Sequence, residues 1–294
     1  MQCTIALIHY KHIDNMIDIQ QVSFGYRSQN DIFSSLSLHL SVGHIHGLLG
    51  KNGVGKTTLL KLISGSLFPD QGSISTFGYA PKKRNPLMLS ELYFLPEEIF
   101  LPALTIESFV KVYAPFYPRF DYLKFDSILQ EFDISSKKQK LQTLSHGQKK
   151  KVQISFSLAT NTRLLIMDEP TNGLDIPAKS QFRRIVANTF EEDQCIIIST
   201  HQVRDLHSLI DYITILDDHD IVMSHSVEEI SKRLLFKWFD RGEVPHNALY
   251  SEESLKGVAA VLENCEQVES KLDIEILFNA LFASKEKIKE LFSK

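Results

Sequence analysis

The sequence has few cysteines and no long apolar run, and each absence excludes a class of protein. Its 294 residues include only Cys3, Cys195 and Cys265, too few and too scattered for a disulfide framework or a metal site. We therefore expect a reducing compartment. No apolar stretch approaches the ~18 residues that a membrane helix needs. A function at a membrane would require other chains to supply the span.

An excess of charge of either sign is also lacking. The chain has 32 Lys and Arg against 36 Asp and Glu, and it is 43% hydrophobic, as in ordinary globular proteins. Because no basic footprint covers the molecule, no nucleic-acid partner is expected. Two short basic runs, Lys82–Arg84 and Lys149–Lys151, are interpreted as solvated surface rather than as binding sites.

The chain is organised around a glycine-rich stretch between a predicted strand and a predicted helix. Residues Gly50–Thr57 read G-x-x-x-x-G-K-T, preceded by the apolar run Ile45–Leu49 and followed by the helical pattern Thr58–Ile63. Glycines let backbone N–H groups approach phosphate oxygens, and the start of the helix is partly positive. Lys56 is expected to bind the β- and γ-phosphates, and the Thr57 hydroxyl a Mg²⁺ ion. The alternative is a plain glycine turn with a surface lysine.

Short strands surround this loop. Alternating apolar and polar residues predict half-buried strands at Ile17–Val22 and Leu36–Leu40, and further strands are predicted at Ser73–Phe77 and Leu92–Leu95. Tyr26 lies between the first two strands. Its ring either stacks on a base or packs in the core, and its position alone does not decide between these.

A helical segment interrupts the alternating β/α pattern. Thr105 is a predicted N-cap for a helix over Ile106–Tyr113, and a second helix is predicted over Tyr122–Phe132. Residues from about 100 to 160 are therefore expected to form a mostly helical, inserted subdomain.

Two acids end a fully apolar strand. Leu164–Met167 is followed by Asp168 and Glu169, and ligands bind at the carboxyl ends of such buried parallel strands. We expect Asp168 to hold Mg²⁺ through water and Glu169 to orient or deprotonate the attacking water. A solvated turn is the alternative. His201, after the predicted strand Cys195–Ile198, either reaches the γ-phosphate or is structural.

The residues Leu144–Gln148, L-S-H-G-Q, resemble the LSGGQ signature of ABC-type ATPases, with His146 in place of the first glycine. The resemblance covers about Met16–Glu229 and comprises five motifs in the order of that family. They are Gly50–Thr57, Ser145–Gln148, Asp168–Pro170, Gly173–Asp175 and His201.

The resemblance implies an α/β P-loop NTPase with a mostly parallel central sheet, an N-terminal antiparallel β subdomain and an inserted helical subdomain. It implies ATP and Mg²⁺, and a homodimer or heterodimer in which one copy's phosphate loop meets the other copy's signature. The implied catalytic residues are Glu169 and His201, and the implied metal ligands are Thr57, Glu97 and Asp168. The implied nucleotide ligands are Tyr26, Gly50, Asn52, Gly53, Gly55, Lys56, Thr57, Thr58, Ser145, Gly147, Gln148 and Asp175.

Two departures from the family pattern affect the site. Glu97 stands where the family usually has a glutamine, and His146 replaces a glycine. Neither change removes a catalytic group, so an active ATPase is expected.

We expect the chain to be divided into an extension over residues 1–15, a nucleotide-binding domain over 16–230 with its helical subdomain at about 97–160, and an extension over 231–294. In the last, one helical stripe is predicted to pack on the same subunit, with a contact to a partner as the alternative. The stripe consists of Ile274, Leu277, Phe278, Leu281 and Phe282.

The resemblance implies the ATP-binding subunit of an ABC transporter, peripheral on the cytoplasmic face of the cell membrane, that powers a separate permease of the export type. A soluble ABC-type ATPase acting on nucleic acid or ribosomes is the alternative. A single cassette and a mildly acidic chain disfavour it, and Leu144–Gln148 argues against a simple nucleotide kinase.

Overall fold

A computed structural model describes residues 15–26, 31–206, 208–255 and 257–293. Residues Thr4–Ile8, whose apolar pattern predicts a strand, lie outside these ranges, as does Cys3. In chain order the strands are β1 Asn15–Gly25, β2 Asp31–Ser41, β3 His44–Leu49, β4 Gln71–Thr76, β5 Leu92–Leu95, β6 Leu164–Asp168, β7 Cys195–Thr200, β8 Tyr212–Asp217, β9 Asp220–Ser226, β10 Leu234–Phe239, β11 Tyr250–Ser254 and β12 Gly257–Glu263. The helices are α1 Lys56–Ile63, α2 Pro86–Ser90, α3 Ile106–Tyr113, α4 Tyr122–Glu131, α5 His146–Ala159, α6 Ile176–Thr189, α7 Val227–Arg233, α8 Ile274–Ala283 and α9 Lys285–Ser293.

The central sheet has the order β5-β6-β7-β3-β8-β9. All neighbours are parallel except β8 and β9, which form an antiparallel pair. Every residue of β6 and β7 is buried, as expected of strands covered on both faces. This arrangement brings the carboxyl ends of β3, β6 and β7 to one edge, and it confirms the predicted fold class.

The N-terminal sheet is antiparallel, with the order β2-β1-β4. Its alternating pattern buries Ile17, Ile19 and Val22 of β1 together with Leu36 and Leu38 of β2. These side chains share a hydrophobic cluster with one face of α1, so the antiparallel sheet supports the helix that follows the phosphate loop.

The inserted segment is helical, as predicted. Thr105 caps α3 by accepting a hydrogen bond from the Ser108 N–H, and Asp121 caps α4. Phe156 of α5 lies at the centre of an aromatic cluster, with its ring centroid 4.9 Å from Phe109 and 5.0 Å from Phe120. None of the helices in the described ranges is long and apolar enough to cross a membrane.

The C-terminal segment contains a feature that the sequence analysis missed. Strands β10, β12 and β11 form a second antiparallel sheet in that order. Helix α8 begins after its N-cap Asp273, and its predicted stripe packs on the same chain. Ile274, Leu277 and Leu281 belong to the same hydrophobic cluster as the central strands, with Phe278 packed against it.

Candidate active site

The glycine loop joins β3 to α1 and presents an open backbone face. Gly55 has φ +106°, and a Cβ there would lie 2.7 Å from Cζ of Phe33, so only glycine fits. Gly53 has φ +85°, and outside its chain neighbours no described heavy atom lies within 4 Å of where its Cβ would be. The loop therefore has the conformation and the free space that close approach of a phosphate requires.

Lys56 lies beneath this loop with its side chain 7% exposed. Its ammonium donates to the carbonyl oxygens of Gly50 at 2.8 Å and Lys51 at 3.1 Å, and it lies 4.0 Å from Oε1 of Glu169. Burial lowers the pKa of Lys56 from its ordinary value, while the nearby carboxylates, Glu169 first, oppose this change. The ammonium is thus held at a fixed position between the loop and the acids of β6.

Asp168 ends β6 and connects two neighbouring elements. Its Oδ2 accepts from the Thr57 hydroxyl at 2.7 Å, and its Oδ1 accepts from the Ser199 hydroxyl at 2.5 Å. Ser199 lies directly opposite Asp168 in the parallel register of β6 and β7. Sequence reasoning missed this role of Ser199, although its place at the end of a buried strand was a usable signal.

Glu169 follows Asp168 in a backbone conformation that is unusual for a non-glycine residue, with φ +45°. Its Oε1 accepts from the His201 N–H at 3.0 Å and lies 2.7 Å from Nδ1 of the same histidine. Its Oε2 is buried and has no hydrogen-bond partner among the described residues. A buried acceptor without a protein donor is rare, and it is what a base needs to receive a proton from water.

These groups line a cavity of about 310 Å³. Sequence analysis predicted all of its lining residues except Ile32. They are Ile32, Asn52, Gly53, Gly55, Lys56, Thr57, Thr58, Glu97, Asp168, Glu169 and His201.

Glu97 places a third carboxylate at the cavity. Its Oε1 accepts a hydrogen bond from Nδ2 of Asn172 at 2.9 Å. The side-chain oxygen of Asn172 in turn accepts from Nε2 of Gln202 at 3.4 Å. The sequence analysis singled out neither Asn172 nor Gln202, although each lies within three residues of a predicted site residue.

The signature residues lie apart from the cavity lining. Ser145 is the N-cap of α5, and its hydroxyl and the Gln148 side chain form a reciprocal capping box. The imidazole of His146 packs against the turn at Gly173. A Cβ on Gly173 would lie only 2.6 Å from His146 Cδ2. Gly147 also approaches that turn closely, since a Cβ on Gly147 would lie 3.2 Å from the Gly173 carbonyl oxygen. The structure therefore brings the signature to the Gly173 turn rather than to its own phosphate loop.

Two further predicted ligands have local partners. Asp175 caps α6 by accepting from the Ala178 N–H at 2.9 Å. Tyr26 is 37% exposed, packs edge-on against Phe24 at 5.1 Å between ring centroids, and lies 3.4 Å from the Thr58 hydroxyl. Tyr26 thus stands near the start of α1 with part of its ring open to solvent.

One interpretation of the sequence is wrong. The run Lys149–Lys151 was expected to be solvated surface, but Lys150 is fully buried. Its neighbours Lys149 and Lys151 are only partly buried. The reason is helical geometry, since successive residues of α5 point about 100° apart, so the middle lysine points into the protein.

Comparisons with a family model, with related sequences and with solved structures all find ABC transporter proteins. The model of the ABC transporter family matches residues 33–172. The ABC transporter ATP-binding protein YtrB of Bacillus subtilis (strain 168) is 29% identical over 221 residues, which is 75% of each chain. The bacitracin transport ATP-binding protein BcrA of Enterococcus faecalis is 26% identical over 75% of this chain and 72% of its own length.

A solved structure described as the ATP binding subunit of an ABC transporter superposes with a TM-score of 0.67 at 25% identity. The superposition covers 73% of this chain and 91% of that one. It therefore includes nearly all of the neighbour. Together with the order of motifs around one cavity, these similarities show that the chain contains the ABC transporter family domain and is similar, over about three quarters of its length, to ABC transporter ATP-binding proteins.

Proposed function

We propose that this chain hydrolyses ATP and uses the energy to drive a separate membrane permease of the export type. The observation that carries the proposal is the grouping of Lys56, Asp168, Glu169 and His201 around one cavity, with an unpartnered carboxylate oxygen on Glu169. Family members are ATPases, and this cavity contains the groups that such a reaction requires.

Binding of ATP is assigned to the glycine loop. Loop N–H groups and the Lys56 ammonium hold the β- and γ-phosphates, with Asn52 and Thr58 at the edge of the same cavity. Gly50 contributes by fixing Lys56 through its carbonyl oxygen. Tyr26, with its ring partly exposed next to α1, is assigned to stacking on the adenine.

The residues present fit a Mg²⁺ ion. The Thr57 hydroxyl and the Asp168 carboxylate lie 2.7 Å apart, and Glu97 adds an oxygen ligand at the same cavity. Hard oxygen donors of this type are the ones that Mg²⁺ prefers. When bound, the ion neutralises phosphate charge and orients the γ-phosphate for attack.

Hydrolysis is assigned to Glu169. Water attacks the γ-phosphorus, the bond to the leaving ADP oxygen breaks, and the proton of the water passes to Oε2 of Glu169. His201 holds the other oxygen, Oε1, through its N–H and its ring nitrogen. The hydrogen bonds to Oε1 fix the carboxylate in one orientation and leave Oε2 without a donor among the described residues.

The signature is assigned to the nucleotide of a second copy. Ser145, Gly147 and Gln148 are absent from the described lining of this chain's own cavity, yet they form a helix N-terminus suited to an anion. Two chains would enclose two ATP molecules head to tail, with Asp175 at the turn between them. The two chains are a homodimer or a heterodimer, and release follows hydrolysis.

Membrane attachment is proposed through a permease on the cytoplasmic face. BcrA is named for bacitracin transport, and LnrL of Bacillus subtilis (strain 168), 28% identical over 224 residues, is named for linearmycin resistance. These names support export by analogy. We assign residues 16–230 to the nucleotide-binding domain, with the helical subdomain at about 97–160, and 1–15 and 231–294 to extensions.

The direct test uses Glu169→Gln, which keeps the shape of the side chain and removes the base. We expect ATP binding to persist, ATPase turnover to fall by about a hundredfold or more, and a stable dimer to form with ATP and Mg²⁺. Glu192→Gln, on an exposed glutamate, is the matched control and should behave as wild type. Unchanged turnover would show that Glu169 is not the base, and a persistent monomer, with any partner subunit supplied, would overturn the sandwich.

A further inference from the structure

Lys150 is a buried cation on the helix that carries the signature. Its side chain is fully buried, and its ammonium donates to the backbone carbonyl oxygen of Glu97 at 3.1 Å. Glu97 belongs to the lining of the nucleotide cavity, whereas Lys150 belongs to α5, whose first turn presents Ser145 and Gly147. One hydrogen bond therefore joins the signature helix to this chain's own nucleotide cavity.

The charges around Lys150 are those of the active site. Burial lowers the pKa of Lys150 from its ordinary value, and the carboxylates of Glu97, Asp168 and Glu169 oppose this change, Glu97 first. The same three carboxylates act on Lys56. Lys150 thus adds a second ammonium, besides that of Lys56, near three acids at a cavity that must also accept a polyphosphate.

Burial makes this charge costly to place and costly to remove. A desolvated ammonium is tolerated only where anions or acceptors compensate it, and removing one member of such a group leaves the others uncompensated. A lysine that only filled space in α5 would not need such partners. The buried ammonium of Lys150 is therefore compensated by the Glu97 carbonyl oxygen that it contacts and by the charge of these carboxylates.

We propose that Lys150 is a positioning residue of the nucleotide site, which anchors the backbone at Glu97 and offsets the third carboxylate of the cavity. This inference rests on the proposed function, since it assigns Lys150 a role in binding ATP. Lys150 is not among the residues described as lining the cavity. It acts on the site through the backbone of Glu97 and through its positive charge. The ligand class that it favours is a highly charged nucleoside triphosphate.

The test is Lys150→Met, which keeps an unbranched side chain only one atom shorter and removes its charge. Affinities for ATP, ADP and adenosine are measured by titration calorimetry in EDTA, so that no Mg²⁺ and no hydrolysis intervene. We expect ATP affinity to fall about tenfold, ADP affinity to fall less, and adenosine affinity to stay unchanged, since each ligand carries a different charge. Lys149→Met, one residue away on the same helix and only partly buried, is the matched control and should bind ATP as wild type does.

A second variant separates charge from packing. Adding Glu97→Gln to Lys150→Met removes one negative charge as well, so ATP affinity should return to within about threefold of wild type. A role in packing alone predicts equal losses for all three ligands, or a loss that Glu97→Gln does not relieve. Either result overturns the inference, as does wild-type ATP affinity in Lys150→Met.

The inference stays testable if Lys150→Met alone does not fold. The double variant with Glu97→Gln should then recover soluble protein, because fewer uncompensated carboxylates remain, and failure of both variants contradicts the inference. The parent protein distinguishes this result from failure of the proposed function. If the parent binds no ATP, the function itself is wrong, whereas a parent that binds ATP leaves only the role of Lys150 in question.

Discussion

His46 is a buried histidine on β3, the strand that leads into the phosphate loop. Its side chain lies within the core, where Nε2 is 3.1 Å from the Ser41 carbonyl oxygen, and Nδ1 has no hydrogen-bond partner in the described part of the chain. Tyr212 packs against it at 4.9 Å between ring centroids. Burial lowers the pKa of His46 from 6.5 to about 4, and the neighbouring His44 adds to this while Asp211 opposes it.

This burial predicts an acid-sensitive fold. Because the folded-state pKa lies below the unfolded value, stability is complete above about pH 6.5 and is lost as the pH falls from there toward 4. From pH 7.5 to pH 5 we expect His46 to remove about 2 kcal/mol from the free energy of unfolding. Urea unfolding of wild type and His46→Gln at both pH values measures this difference.

The glutamine amide can still donate to the Ser41 carbonyl, but it does not titrate. The variant should therefore lose about 2 kcal/mol less than wild type over the same range. His44→Gln serves as the control, since His44 is partly exposed and pairs with Asp211 at 2.9 Å. Identical pH slopes for wild type and His46→Gln would contradict the prediction.

At the residue scale, the sequence predicted groups whose roles depend on a short motif. Lys56, Asp168 and Glu169 lie in or directly after contiguous patterns, and the structure brings all three to one cavity. Their individual roles in catalysis stay predictions. Lys150 was misinterpreted because a basic run does not reveal which of its members points inward, and its partner Glu97 lies 53 residues away in sequence.

At the scale of elements, helix α8 contacts the phosphate loop. The ammonium of Lys51, within the loop, lies over the ring of Phe282 at 4.1 Å from the centroid. Two ion pairs also join the C-terminal helices to the rest of the chain. Glu275 of α8 pairs with Arg204 at 2.6 Å, and Lys285 of α9 pairs with Asp217 at 3.0 Å. Helix α8 thus contacts both the phosphate loop and the segment that follows His201.

Removing the ring of Phe282 should loosen the loop without unfolding the protein. A cation–π contact at an exposed site is worth about 0.5–1 kcal/mol, so Phe282→Leu should raise amide exchange at residues 51–55 by about two- to fivefold. Hydrogen exchange with mass spectrometry measures this change. Phe292→Leu, whose ring packs on His225 at 4.5 Å, is the control. Unchanged exchange in the loop would show that the contact does not restrain it.

The elements themselves were predictable where their periodicity was strong. The stripe of α8 and the buried strand β6 were predicted within a residue or two of their ends. The C-terminal sheet was not, because β11 is exposed along most of its length, with the sequence YSEES, and shows no apolar alternation. The strand order of this sheet, β10-β12-β11, depends on pairing between segments that are distant in sequence, and local patterns do not encode such pairing.

At the scale of the whole molecule, exposed aromatic side chains in the proposed helical subdomain predict a contact surface there. Phe100 is 94% exposed and lies three residues after Glu97, which lines the nucleotide cavity. Phe116, in the same subdomain, is 66% exposed. Because aromatic side chains are enriched at protein–protein interfaces, we expect these two to contact a partner. A permease bound at Phe100 would act on the backbone that carries Glu97, which links transport to the state of the nucleotide.

This placement predicts that Phe100→Ser weakens the permease complex while sparing the isolated ATPase. The protein would be co-expressed with the multi-span protein of a neighbouring reading frame, and the permease recovered in detergent would be measured by quantitative blotting. We expect at least a fivefold loss, since a buried phenylalanine contributes roughly 1.5–3 kcal/mol to a contact, with ATPase activity of the free chain within about twofold. Phe68→Ser, at a 48% exposed phenylalanine outside the helical subdomain, is the control. If both variants recover equal amounts of permease, the permease binds elsewhere. If the protein recovers nucleic acid or ribosomes instead of a permease, the alternative without a permease is favoured.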